Sequence, residues 1–124
     1  MTGPCSAAVI VRRPEGRAFV RAEHVRQIVP EPAISRVPGS GVGMALVSGR
    51  VLGVLTLGQP SGALLVCQPD DEAVALSGLS VERVGFYPVN AAGALDVDGE
   101  SVPELYVERL LRQSSNLGNQ WRTP

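Results

Sequence analysis

The chain has 124 residues, 44% of them apolar, and a formal net charge of −1. It is therefore expected to bury one core as a single soluble domain, and its scattered charges leave no footprint for nucleic acid or an anionic membrane. Every basic residue is arginine, which removes lysine catalysis, and the longest apolar runs, such as Ala63 to Cys67, are far too short to span a bilayer.

Val-, Ile- and Leu-rich segments alternate with turn signals every few residues, the pattern of an all-β protein. In chain order, strands are expected at Ala7–Arg12, Arg17–Arg21, Val29–Arg36, Gly43–Val47, Val51–Leu57, Ala63–Gln68, Glu72–Ser77, Val81–Tyr87 and Ala94–Val97. Pro14-Glu15-Gly16, Pro69-Asp70-Asp71 and Asp98-Gly99 carry the turn chemistry that links antiparallel neighbours. Val54-Leu55-Thr56-Leu57 and Leu64-Leu65-Val66-Cys67 are apolar on both faces, as strands covered on both sides must be.

Two helices are expected among these strands. Ala22 to Ile28 places Ala22, Val25 and Ile28 on one face. Ser101-Val102-Pro103-Glu104 has the form of a capping box and opens a helix running to Gln113, with Leu105, Leu110 and Leu111 on its apolar side. The domain is thus expected over 7–113. Residues 114–124 read as a flexible tail in which Trp121 is either a partner anchor or an ordinary exposed residue.

A search for reactive groups returns little. His24 is the only histidine and has no base or orienter at a useful spacing. The glycines of "PGSGVGMALVSG" miss the dinucleotide fingerprint because Met44 stands where the third glycine belongs, and no phosphate loop follows. Asp70-Asp71-Glu72, Asp96 and Asp98 sit where turns favour aspartate for backbone reasons, so no metal site is expected. Cys5 and Cys67 lack CxxC spacing and are read as reduced apolar residues in a reducing compartment. Met1-Thr-Gly-Pro has neither the basic start nor the apolar core of a signal peptide, so the expected location is cytoplasmic. Neither an enzyme nor a cofactor-dependent protein is expected.

The order of segments does carry a resemblance. "AEHVRQIVPEPAISRVPG" followed by "GMALVSGRVLGVLTL", then "GALLVCQPDDEAVALSGLSVERV" and "VPELYVERLL", resembles a CheW-like domain, the bacterial chemotaxis coupling module, over about residues 7 to 112. The resemblance implies two small five-stranded β-barrels packed together, with a short helix and a C-terminal helix. It also implies a non-catalytic adaptor that binds the regulatory domain of a chemotaxis histidine kinase and the cytoplasmic tip of a chemoreceptor. Its partner-binding surface would lie at one barrel end, around Arg26, Gln27, Val47, Ser48, Gly49 and Arg50, with a receptor-facing groove between the barrels.

Departures from the family pattern are specific. Gln27 stands where an acidic residue is usual and Ser48 where an arginine is usual, so both halves of a charged pair are replaced together. Losing one partner of a buried ion pair costs about 3–5 kcal/mol, whereas replacing both can be nearly neutral. A folded domain with altered partner choice is therefore expected. Gly53, Thr56 and Leu79 replace a proline and two aspartates of the family pattern. The alternative from another class is a small β-barrel that holds a low-molecular-weight ligand in its interior or between barrels.

Overall fold

The structure is a computed structural model that describes residues 4–37, 42–58, 62–68, 73–110 and 112. Its strands are β1 (Cys5–Arg13), β2 (Gly16–Arg21), β3 (Val25–Pro30), β4 (Ile34–Arg36), β5 (Val42–Val47), β6 (Arg50–Thr56), β7 (Ala63–Cys67), β8 (Val74–Ser77), β9 (Ser80–Pro88), β10 (Leu95–Val97) and β11 (Glu100–Val102). The expected turn at Pro69-Asp70-Asp71, the start of a strand at Glu72, Leu111 and the tail with Trp121 lie outside the described residues.

The middle of the chain forms a central lobe, a six-stranded sheet in the order β3-β7-β8-β6-β5-β4. Neighbours pair antiparallel except β6 and β8, which run parallel with Val54 opposite Ala75 and Leu55 opposite Leu76. The sequence predicts one strand over Val29–Arg36, but the sheet has two. Pro32 has no N–H to give a ladder, and the chain breaks over 31–33 between β3 and β4. Counted as one interrupted strand, β3 and β4 leave the lobe with the five strands that the resemblance implies.

The first two strands and the last three form a terminal lobe. Its three-stranded sheet, β2-β1-β9, is complemented by the β10-β11 hairpin. Val89 bridges to Leu95, and Phe19 pairs in parallel with Glu104. There the Phe19 amide donates to the Pro103 carbonyl at 2.9 Å and the Leu105 amide donates to the Phe19 carbonyl at 2.8 Å. These links bring the edges of five strands round to one another.

Alternation along the strands sorts the core into three parts. Ala45, Val47, Leu52, Val54, Leu64, Val66 and Ala75 fill the central lobe. Ala8, Ile10, Phe19, Leu95, Val97 and Val102 fill the terminal lobe. The opposite faces of the same strands supply the third part, in which Val9, Val11, Ala18 and Val20 meet Leu55, Leu65, Cys67, Val74 and Leu76 between the lobes. This is the physical reason that β6 and β7 read as apolar on both faces.

Close backbone contact fixes one crossing. After the parallel pair, the Leu57 amide donates to the Ser77 carbonyl at 2.8 Å. Gly78 has φ +85°, and a Cβ there would lie 2.3 Å from the Gly58 amide nitrogen. No other residue fits that position without moving the main chain.

Both helix expectations are corrected. Ala22–His24 forms only a single 3-10 turn, and the chain then enters β3. Val25, Ile28 and Val29 are β-branched and lose side-chain freedom in a helix, while β7 offers an antiparallel partner to Val25 and to Gln27 through Pro30. At the C-terminus, Ser101 caps nothing, because Glu100–Val102 pairs with β10 across the Asp98-Gly99 turn, where both residues have positive φ. Its hydroxyl oxygen accepts from Asn90 Nδ2 at 2.9 Å. Helical structure begins only at residue 107. Glu104, read as part of the capping box, instead has a side chain only 7% exposed and pairs with Arg21. Leu105 and Val107 are buried in the core between the lobes, and Leu110 packs against it.

Candidate functional site

The β5-β6 hairpin begins with a sequence that alternates Ala45 and Val47 inward with Met44 and Leu46 outward. Its two-residue turn, Ser48-Gly49, has φ of 50° and 79°. Both values are positive, as in a type I′ turn, whose twist matches that of the flanking strands. Val47 pairs with Arg50 and Leu46 with Val51, so the turn is held by a continuous ladder.

Opposite this turn lies β3. Its register against β7 slips between Val25 and Gln27, which leaves Arg26 as the extra residue of a bulge. A bulge bends its strand and re-aims the side chains beside it. The result is that Gln27 Nε2 donates to Ser48 Oγ at 3.5 Å, on the surface. The two positions at which the chain departs from the family's charged pair therefore face each other, and a neutral contact occupies the place.

Around that contact is a cleft of about 540 Å³ lined by Glu23, Val25, Arg26, Gln27, Val47, Ser48, Arg50, Leu52, Val66, Gln68 and Ala73. Its floor is apolar: Val47, Leu52 and Val66 belong to the buried core of the central lobe, and Ala73 packs on them. Arg26, Gln27, Ser48 and Arg50 are exposed on its rim. Of the six residues assigned from the resemblance, five line the cleft, and Gly49 completes the turn beside it. Sequence reasoning missed Leu52, Val66, Gln68 and Ala73. Leu52 was accessible from the alternation along β6, but Val66 reaches the site only because β7 pairs with β3, and no local pattern announces a long-range register.

The hairpin's outer face is unusually apolar for an exposed surface. Met44, Leu46 and Val51 are 57%, 63% and 68% exposed. Gly53 sits opposite Met44 and adds no side chain to cover it. Elsewhere, Arg36 donates to the Thr56 hydroxyl.

Reactive groups do not converge here. His24 Nε2 is 4.0 Å from Glu23 Oε1, too far for a hydrogen bond. Cys67 is buried and its thiol is pushed up to about 12 by desolvation, while Cys5 is exposed. Among the described residues, no group of three or more His, Cys, Asp or Glu could hold a metal ion, and no helix is long and apolar enough to cross a membrane.

Two all-β lobes that share an apolar core, with the first and last strands together in one of them, define a CheW-like fold. The crystal structure of the scaffolding protein TtCheW from Thermoanaerobacter tengcongensis superposes on this chain with a TM-score of 0.59. The match covers 82% of this chain and 71% of that one at 13% sequence identity. No family model matches the sequence, and no curated protein matches it.

Proposed function

We propose that the chain is a non-catalytic adaptor of a bacterial chemosensory-type signalling system, working in the cytoplasm. It would couple a chemoreceptor's cytoplasmic tip to the regulatory domain of a histidine kinase or to a related partner. The observation that carries this reading is the Gln27–Ser48 contact at the apolar-floored end of the central lobe, within a fold shared with a scaffolding protein. Such a surface has what a partner barrel needs, an apolar centre with a polar rim, and nothing that a reaction needs. The partner-binding residues are Arg26, Gln27, Val47, Ser48, Gly49 and Arg50, extended by the exposed face of Leu46 and Val51.

With the charged pair replaced by neutral groups, association depends on apolar burial and responds weakly to salt. Calorimetric titration against the regulatory domain of a chemotaxis histidine kinase tests this. Rebuilding the pair with Gln27→Glu and Ser48→Arg together raises affinity for that domain about ten-fold, as a close charge pair at an interface can. Val47→Glu abolishes binding, but Val47 is 6% exposed and that variant also loads a carboxylate into the core. Leu46→Glu isolates the surface effect, because its side chain already stands in water. Kinase coupling through this end is excluded if the rebuilt pair gains nothing and Leu46→Glu binds like the parent.

A further inference from the structure

A second cleft lies on the other side of the 3-10 turn. It measures about 390 Å³ and is lined by Arg21, His24, Glu104, Tyr106, Glu108, Arg109 and Arg112. Three guanidiniums and an imidazole thus face two carboxylates, and the carboxylates are unequal. Glu104 is already neutralised, with its oxygen 3.1 Å from Arg21 Nε and its side chain almost wholly covered. Glu23, which lies between Arg21 and His24 in the chain but does not line this cleft, is 3.7 Å from Arg21 and 4.0 Å from His24. That leaves Glu108 alone against Arg109, Arg112 and His24.

Neither Arg109 nor Arg112 has a carboxylate within ion-pair distance among the described residues. Arg109 is held instead by stacking, its guanidinium carbon 4.2 Å from the centre of the Tyr106 ring. Stacking occupies the face of the guanidinium and leaves its in-plane N–H groups for an acceptor, with part of the ordering cost already met. Arg109 and Arg112 are three residues apart on a helical turn and so project to the same side. His24 approaches from the opposite wall, on the 3-10 turn.

We propose that this cleft binds a small tetrahedral dianion of the phosphate class, free or carried as a monoester. The planar forks of Arg109 and Arg112 suit two oxygens of such a group, and the Arg21–Glu104 pair forms a neutral back wall. The inference is independent of the adaptor reading, since it uses none of the residues at the central-lobe end.

Titration of the isotope-labelled chain with inorganic phosphate at constant ionic strength, followed by amide NMR shifts, tests it. Saturable shifts confined to residues 21–24 and 104–110 are expected, with acetate producing none that saturate. Arg109→Gln and Arg112→Gln each weaken binding about ten-fold, the loss expected for a charge-assisted contact. Glu108→Gln strengthens binding by removing the opposing carboxylate. A parallel titration with O-phosphoserine assigns the source: tighter binding than phosphate marks a monoester site, weaker binding a site for the free ion. The proposal is overturned if phosphate gives no saturable shift, if acetate matches it, or if both arginine variants bind phosphate like the parent.

Discussion

The two lobes are built from similar strands and both expose apolar side chains, Val84 and Phe86 on the terminal lobe and Met44, Leu46 and Val51 on the central one, yet they hold their charges in opposite ways. Among the described residues, every ion pair involves the terminal lobe or the 3-10 turn beside it. Arg12 and Arg17 face each other across β1 and β2, a like-charge pairing that is unfavourable by itself. Glu82 stands between them, 2.8 Å from Arg12 and 3.1 Å from Arg17. Arg17 reaches on to Glu100 at 3.3 Å, and Arg83 meets Asp98 at 2.5 Å, so the belt ties the β10-β11 hairpin to the sheet. The central lobe exposes Met44, Leu46 and Val51, and its Arg26 and Arg50 form no ion pair among the described residues. The terminal lobe's belt spends its charges on holding its own strands together, whereas the central lobe's end keeps apolar area available for a neighbour.

The shared core is where this comparison breaks most severely. Leu76 is fully buried between the lobes, and Leu76→Ala is expected to cost about 2–5 kcal/mol. Denaturant unfolding followed by two probes, one in each lobe, should show both transitions moving together. Separate midpoints would mean that the lobes do not depend on one another.

A smaller loss is expected from the belt. Arg17→Ala removes contacts to three carboxylates at once and should lower stability by about 1–2 kcal/mol, more than the 0–1 typical of an isolated exposed pair. High salt should shrink the difference between variant and parent.

The belt also makes a pH prediction. Desolvation pushes the Glu82 carboxyl up, but hydrogen bonds and attraction from Arg12 and Arg17 outweigh it and hold it below its ordinary value. A carboxyl depressed in the folded state binds its proton less readily there than in the unfolded chain. Its stabilisation is therefore complete above the ordinary glutamate range, near about 4.3, and is lost as pH falls through the lower folded value. Glu82→Gln should flatten the acid limb of the stability curve, as measured by thermal melts across that range.

The smallest effect on stability is predicted on the exposed face of the β5-β6 hairpin. Leu46→Glu should change folding free energy by no more than about 0.5 kcal/mol, since its side chain lies in water already. The same variant should lose partner association, and that pairing of outcomes separates a docking face from a structural one.

Much of the architecture was legible because hairpins are local. Pro14-Glu15-Gly16 and Asp98-Gly99 announce their turns, and alternation along β5 assigns its inner and outer residues without further help. The errors arose where local signals met long-range pairing. Ser101 to Glu104 is a good helix start, but β10 claims Ser101 and β2 claims the backbone on either side of Glu104. Ala22 to Ile28 has a helical period, but β7 takes its second half. The candidate site was legible only through resemblance: nothing in the spacing of Gln27 and Ser48 brings them together, and a bulge at Arg26 does.

The division of strands between lobes also bears on how the chain becomes ordered. β3 to β8 are contiguous, so the central lobe can assemble from neighbouring segments as they appear. β1 must wait for β9, since Arg12 pairs with Ser80 and Cys5 with Pro88. Loop entropy for closing such a long stretch is modest once the intervening lobe has condensed, because a compact domain holds the two ends near each other. Until β9 to β11 are in place the β1-β2 hairpin carries an open edge and, with Ile10 and Phe19, an apolar face that Leu95, Val97 and Val102 cover. During synthesis that hairpin is the segment most exposed to mispairing, and its protection arrives only with β9 to β11.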